Sequence, residues 1–425
     1  MSKLCDLIRV DMKPAFGVTE PGAIAFAAAY ARSLTSGEIS AITLDLNSGI
    51  YKNAFTCGIP NSEELGNAWS AALGAVGGDH TLLLEALRPV TPEDNERARA
   101  LIEGGRVTVR LDGISSSILI RVRVEAESGY GEVTCRGSHT NVVRVEQNGT
   151  VLVEKQENGQ SGGGDPCAAI CDCTVHELIE YAKTAPLSDL AFLREAAEMN
   201  LALFEQGRAE GKTPITEQLI LQNGGEVFSC DAHRSARVIA CGAIEARTNA
   251  VARPAMSITG SGSHGILATL PLYACCTVDS CSEEQLLRAL AMSLLMTIYV
   301  KEYSGRLSAL CGCALAAGVG TACGIVYLHG GDAQAYVRAI NNIASSLTGM
   351  ICHGGNPGCT LKALTGVDAA FSAAELALAG VSVDEIHGIL GASPERTIQN
   401  MGLVSSPGMS ETEGTIVGIM REHKE

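Results

Sequence analysis

Aromatic residues are scarce in this chain of 425 residues: they make up 4% of it, with a single tryptophan. With 46% of the residues apolar, its cores must be built from Ala, Leu, Val and Ile, and helices of such small residues pack closely. Positive charge is also in deficit. Lys and Arg number 31 against 47 Asp and Glu, a formal charge of −16, which argues against nucleic acid or an anionic membrane as partner, because both need a basic footprint. A small substrate is not excluded, since a site can differ in sign from the surface average. The N-terminal MSKLCDLIRVDMKP lacks the long apolar run of a secretion signal, so a cytoplasmic protein is expected. Walker loop, dinucleotide fingerprint, HExxH and nucleophile elbow are all missing, as is any repeat of fixed period. One uncharged run, Leu307–Leu328, has 22 residues and by length alone spans a bilayer. It is rich in Gly and Ala and carries three cysteines, so its transfer into lipid is weakly favourable, and a helix or broken helix buried in a soluble domain is expected.

Cysteine, by contrast, is abundant. The chain has 16, and without a secretion signal they point to a reducing compartment, where clustered cysteines serve metals or chemistry more often than disulfides. Five of them, Cys311, Cys313, Cys323, Cys352 and Cys359, fall within 306–361. Cys352 and Cys359 flank HGGNPG, whose glycines and proline demand a tight loop, and Cys311 and Cys313 flank Gly312. Thiolates held on loops between buried helices are what an iron–sulfur cluster needs, its irons being soft. Cys323, mid-segment, reads instead as a small buried hydrophobe. Cys167, Cys171 and Cys173 match no standard metal spacing.

The chain length allows two or three domains. Thr19-Glu20-Pro21 has the marks of a helix start, with a hydroxyl N-cap, an acid in the first turn and a proline. An extended stretch over 39–46, a glycine- and proline-punctuated loop NSGIYKNAFTCGIPN, and helices over 62–76, 80–88 and 92–103 follow. From Arg106 to Lys155 the pattern turns to period two with β-branched residues, predicting antiparallel strands with turns at Asp112-Gly113, Ser128-Gly129 and Asn148-Gly149, the last a strong hairpin signal. ENGQSGGGDP (157–166) reads as a linker. Beyond it the pattern is helical, with capping boxes at Thr174–Glu177, Ser282–Gln285 and Ser382–Glu385. The expected fold is α+β: an α/β domain with an antiparallel sheet over 1–165, then an all-helical domain over 166–425.

Four polar, glycine-bearing loops interrupt apolar helices: VTEPG, SGIYKN, TGSGSHG and CHGGNPGC. Backbone N–H groups and Ser261 of TGSGSHG can cradle an anion such as a carboxylate, although a plain helix-to-helix turn explains the same residues. His264 in that loop and His139 in RGSHTN are acid–base candidates, each equally compatible with a loop histidine bonded to backbone. His353 adjoins Cys352, where the residue types allow hydrogen bonding to sulfur and catalysis alike. Lys13 and Lys52 lie in loops near these motifs, where solvated surface charge is the ordinary reading.

MKPAFGVTEPGAIAFAAA, SGIYKNAFTCGIP, GSGSHGILATLPL, GRLSALCGCALAAGVGTACGIVYLHGG and MICHGGNPGCTLKALTGVDAA together resemble the L-cysteine desulfidase family, whose members are often labelled serine dehydratase alpha-chain-like. The resemblance runs in order through essentially the whole chain. The helical half also resembles the catalytic domain of the iron–sulfur L-serine dehydratases, which carry a glycine–cysteine motif followed by two further cysteines. The resemblance implies a [4Fe–4S] cluster with one iron not held by protein, acting on the substrate as a Lewis acid. By position, Cys313 matches the first ligand, with Cys311 as its rival, and Cys352 and Cys359 match the later pair. One position departs. The family reads Gly-Cys-Thr-Glu-Pro near the N-terminus where this chain has Gly17-Val18-Thr19-Glu20-Pro21, and valine cannot ligate iron. Either Cys359 completes a three-cysteine site in the serine-dehydratase manner, or the cluster is altered or lost.

The implied activity is cleavage of the β-substituent of an α-amino acid: L-cysteine to pyruvate, ammonia and sulfide. L-serine or L-threonine deamination is the alternative on the same scaffold, and a cluster-free, non-catalytic small-molecule binding protein is the alternative of another class. His264, Lys52 and His139 are the base candidates, histidine offering a pKa near working pH. Thr19, Glu20, Asn53, Ser261, Gly262 and Ser263 form the expected substrate-binding set. Expected partners are a small amino acid and a second copy in a homodimer, with no nucleic acid and no membrane.

Overall fold

The computed structural model describes residues 2–155, 166–305 and 307–423, so most of the expected linker at 157–166 lies outside the described residues. The chain opens with α1 (Ser2–Asp11), β1 (Lys13–Phe16), α2 (Thr19–Ser33) and β2 (Ile39–Asn47). Then come α3 (Ser48–Ala54), α4 (Asn67–Gly77) and α5 (Pro92–Glu103), with a kinked 3-10 turn over His80–Glu85. The SGIYKN stretch, expected as loop, is therefore helix α3. Its start is anchored by side chains: Asn47 Nδ2 and Ser48 Oγ both donate to the Ser115 carbonyl, while Ile50 and Ala54 are fully buried. The helix expected from 62 begins only at Asn67, because Gly66 sits at φ 96° and interrupts helical backbone.

Strands β3 (Val107–Gly113), β4 (Leu119–Ala126), β5 (Gly129–Arg136), β6 (Val142–Gln147) and β7 (Thr150–Glu154) follow. The sheet order is β3-β2-β4-β5-β6-β7. The expected antiparallel pairing of β3 with β4 across Asp112-Gly113 does not form. Strand β2 inserts between them, parallel to β3 and antiparallel to β4, because its Ile42, Leu44 and Leu46 are all fully buried and a strand so apolar belongs in the middle of a sheet. The Ser128-Gly129 and Asn148-Gly149 turns do close antiparallel pairs.

The scarcity of aromatics is met by backbone proximity. Helix α2 lies between the sheet and α4, packing on β4 and β5. A Cβ at Gly74 of α4 would collide with the backbone of Ala25 in α2, so the two helices touch main chain to main chain. With small side chains, close approach replaces large rings as the source of dispersion contacts.

The second half comprises α6 (Val175–Thr184), α7 (Leu187–Leu190), α8 (Leu193–Ala209), α9 (Pro214–Gln222) and α10 (Ala232–Thr248). After β8 (Pro254–Ser257) come α11 (Gly262–Val278), α12 (Glu283–Ser304), α13 (Gly318–Leu328) and α14 (Ala333–Leu347). The last helices are α15 (Gly358–Leu378), α16 (Pro394–Leu403) and α17 (Ser410–Glu422). The capping boxes at Thr174 and Ser282 are both formed. The one expected at Ser382 is not. Residues 381–390 run through turns, and the next helix starts at Pro394 under a Ser393 cap. Nor is this half purely helical, since β8 pairs antiparallel with β1.

Both chain ends cross over. Leu4, Cys5 and Ile8 of α1 join the apolar core of the helical half, and Val417 of α17 joins the core beneath the sheet. The uncharged 307–328 run is broken by a π-turn at Cys313–Ala317 before α13. Among the described residues no helix is long and apolar enough to cross a membrane.

Candidate active site

A cleft of about 680 Å³, part of it open to solvent, lies where α2, α3, α10, α11 and the two cysteine loops meet. The loops are stitched together by backbone. Cys311 N–H donates to the Met350 carbonyl at 2.8 Å and Cys352 N–H to the Ala309 carbonyl at 2.6 Å, which sets 309–313 beside 350–352. The CHGGNPGC loop is in turn seated on the end of α3. Gly354, at φ 96°, lies against the Lys52 carbonyl where a Cβ would collide, and Gly355 N–H donates to the Asn53 carbonyl at 3.0 Å. The glycine run is thus required by close approach, as its sequence suggested.

Cys311, Cys313, Cys352 and Cys359 all line the cleft. As thiols they have weak partners: Cys313 Sγ lies 3.6 Å from the Ser263 carbonyl, Cys352 Sγ 3.7 Å from Asn53 Oδ1 and Cys359 Sγ 3.4 Å from the Gly354 carbonyl. Burial pushes the Cys313 and Cys359 thiols up, with nearby thiols adding to the effect, and pushes Cys311 up to about 12 with help from Cys352. A fifth cysteine, Cys57, stands just behind this wall. It is fully buried and donates to the Asn53 and Gly355 carbonyls, both at 2.9 Å. Only its place in FTCGIP, within a motif already singled out, hinted at that neighbourhood.

Among the described residues, no three His, Cys, Asp or Glu side chains converge as ligands of a single metal ion would. A cluster makes a different demand, since each iron takes its own thiolate and the sulfurs stand apart around it. Cys313 on one loop, and Cys352 and Cys359 at the two ends of the other, suit that demand in softness and number. Val18 shares the lining and adds no donor.

His264 lines the cleft from the first turn of α11. Its Nδ1 is 2.6 Å from Thr259 Oγ1, and that hydroxyl lies 2.7 Å from the Ile258 carbonyl. A carbonyl only accepts, so the single hydroxyl proton goes to it and Thr259 accepts from Nδ1–H. In the neutral ring this arrangement leaves the lone pair on Nε2. A Cβ on Gly312 would stand 2.8 Å from Nε2 and 2.9 Å from Lys301 Nζ, so the lone pair faces the cysteine loop. Thr259 itself is held at φ 53°, a conformation that β-branched residues avoid and that marks functional sites. Its backbone N–H is gripped by the Asp11 carboxylate from α1.

The remaining anticipated residues divide. Glu20, Asn53, Ser261 and Ser263 line the cleft, and Asn53 Nδ2 donates to Glu20 Oε1 at 2.9 Å. Burial raises the Glu20 pKa, but His139, Asn53 and the Arg247 charge outweigh it and the net shift is downward. Gly262 opens α11. His139 sits behind Glu20, its Nε2 3.8 Å from Oε1, and is not in the lining. Lys52 is fully buried and faces away: Nζ pairs with Glu413 Oε2 at 2.6 Å and donates to the Ser308 carbonyl at 3.1 Å. Thr19 is not the N-cap of α2. Val18 is, because the Thr19 hydroxyl is engaged by Arg247 Nη2 at 3.1 Å. The lining also includes three cations not anticipated, Arg247, Lys301 and Lys362.

Residues 82–418 match the serine dehydratase alpha chain family. The chain belongs to the serine dehydratase alpha chain family. Relatives extend over nearly its full length. A UPF0597 protein of Clostridium botulinum is 38% identical, covering 99% of this chain and 98% of its own. One of Bacteroides fragilis is 37% identical over 97% and 96%, and one of Caldanaerobacter subterraneus 33% over 98% and 97%. Those names specify no substrate. The fold is thus serine dehydratase-like, and the match takes in α10, α11 and both cysteine loops of the cleft, while α2 and α3 precede it.

Proposed function

We propose that the protein is an iron–sulfur-dependent lyase that removes the β-substituent of an α-amino acid, with L-cysteine as substrate. The observation that supports this most is the meeting of Cys313, Cys352 and Cys359 with His264 in one cleft of a serine dehydratase-like fold. These three cysteines would hold a [4Fe–4S] cluster, which when bound supplies a Lewis-acidic iron for the departing β-substituent. The chain's own residues do the rest. The first turn of α11 presents N–H groups and positive dipole end to the substrate carboxylate. His264, its Nδ1 proton committed to Thr259, accepts the α-proton at Nε2. As that C–H bond breaks, the α–β double bond forms and the C–S bond breaks, releasing sulfide. The 2-aminoacrylate left behind takes up water to give pyruvate and ammonia. Lys52, locked on Glu413, and His139, behind Glu20, are not assigned the base.

The family description favours a second reading, L-serine dehydration by the same residues with water as the leaving group. Side-by-side assays of pyruvate from L-cysteine and L-serine, with sulfide measured in parallel, separate the two. Cys352→Ser is expected to abolish both the visible cluster absorbance and activity. Full activity in protein without the cluster would sink the mechanism.

A further inference from the structure

Arg247 is a buried guanidinium with no carboxylate hydrogen-bonded to it among the described residues, the Glu20 charge acting on it only from further off. It is 4% exposed, at the last turn of α10, and its hydrogen bonds go to two neutral hydroxyls: Nη1 to Ser263 Oγ at 3.0 Å and Nη2 to Thr19 Oγ1 at 3.1 Å. Its Nε–H is buried with no hydrogen-bond partner among the described residues. A buried charge left in this state is unfavourable unless something negative meets it.

The position of that Nε is specific. A Cβ on Gly262, the first residue of α11, would stand 2.5 Å from it, so the missing side chain is what lets the guanidinium edge lie against the helix start. Helix α11 is 17 residues long, and the N–H groups of its first turn have no intrahelical acceptor. Arg247 lines the same cleft as Ser261, Ser263 and His264 from the start of α11, so a charged donor group and a helix start polarised by its dipole border one space. The lining as a whole has the opposite sign to the protein: Arg247, Lys301 and Lys362 stand against one carboxylate, Glu20, among the described residues.

We propose that Arg247 and the first turn of α11 together receive the α-carboxylate of the substrate, and that Glu20 receives its ammonium group. The pocket then recognises an amino-acid zwitterion by two charges of opposite sign. Guanidinium bonds to carboxylate are charge-assisted and directional, and a pocket built to pair with a charge rejects an analogue that leaves its own groups unpaired. This rests on the reading of the cleft as a site for an α-amino acid, but not on the cluster.

The test is calorimetric titration of the purified full chain with three probes. L-alanine carries both charged groups and no leaving group; L-alaninamide lacks the carboxylate; propionate lacks the ammonium. L-alanine is expected to bind, and each of the others to bind at least about tenfold more weakly, the scale of one lost charge-assisted contact. Arg247→Lys is expected to weaken L-alanine about tenfold while leaving L-alaninamide unchanged. Equal affinity for L-alanine and L-alaninamide, or no binding of any probe, overturns the proposal; the probe series needs no variant to fold. Protein that stays iron-free after anaerobic reconstitution and still discriminates the carboxylate supports this assignment and refutes the cluster, whereas iron-loaded protein that releases sulfide without discriminating refutes this assignment alone.

Discussion

Glu413 should matter far more than a residue near the end of a chain ordinarily does. Its carboxylate meets Lys52 at 2.6 Å, with side-chain exposures of 7% and 1%, and the Ser308 carbonyl is the ammonium's other hydrogen-bond acceptor. Replacing Glu413 by Gln leaves a buried cation without its counter-charge, and removing one partner of such a pair destabilises by roughly 3–5 kcal/mol. Replacing both partners with apolar residues of similar size, Lys52→Met with Glu413→Leu, should recover most of that, because the penalty belongs to the orphaned charge. Urea denaturation of the two variants against wild type measures it, with hydrogen exchange across α17 as a local readout. A functional consequence follows from position. Lys52 precedes Asn53, which bonds Glu20 and faces Cys352, so Glu413→Gln should also impair the cleft from outside it. A loss under about 1 kcal/mol for Glu413→Gln, the range of an exposed pair, would refute the reasoning and imply that water reaches Lys52.

Gly312→Ala should fold yet lose at least about 90% of lyase activity, since its methyl would press on His264 Nε2 and Lys301 Nζ at under 3 Å and a misplacement of about 1 Å can reduce rate a hundredfold; steady-state kinetics beside a circular dichroism spectrum check it. Thr259→Val removes the acceptor for His264 Nδ1–H and should lower kcat with an altered pH–rate profile, Thr259→Ser restoring both. Glu20 gives a pH signature of definite sign. Its folded pKa lies below the ordinary 4.5, so the stability it contributes is present above pH 4.5 and is lost as pH falls through the lower folded value. Glu20→Gln should therefore flatten that acid limb of the stability curve, read from urea midpoints.

What the sequence revealed divides by range. Strands β4 to β7 were legible because their alternation is local and one face is buried, as with Ile120, Val122 and Val124 of β4. The place of β2 between β3 and β4 was not, since strand pairing is chosen by tertiary burial. The cysteine loops announced themselves through glycines that must approach other backbone. Arg247, by contrast, reads as an ordinary helix-end arginine in IEARTN, and Thr19 as an ordinary cap, until a contact across 228 residues joins them. Lys52 reads as a loop lysine for the same reason: its partner lies 361 residues away.

The central claim is that these cysteines hold an iron–sulfur cluster although position 18 is valine. Iron and acid-labile sulfide content, with a visible spectrum, on protein purified without oxygen tests it most directly. About four irons and four sulfides per chain are expected, lost in Cys313→Ser and Cys359→Ser. Protein that stays free of iron after anaerobic reconstitution contradicts it, and would leave the cleft a binding site without a metal.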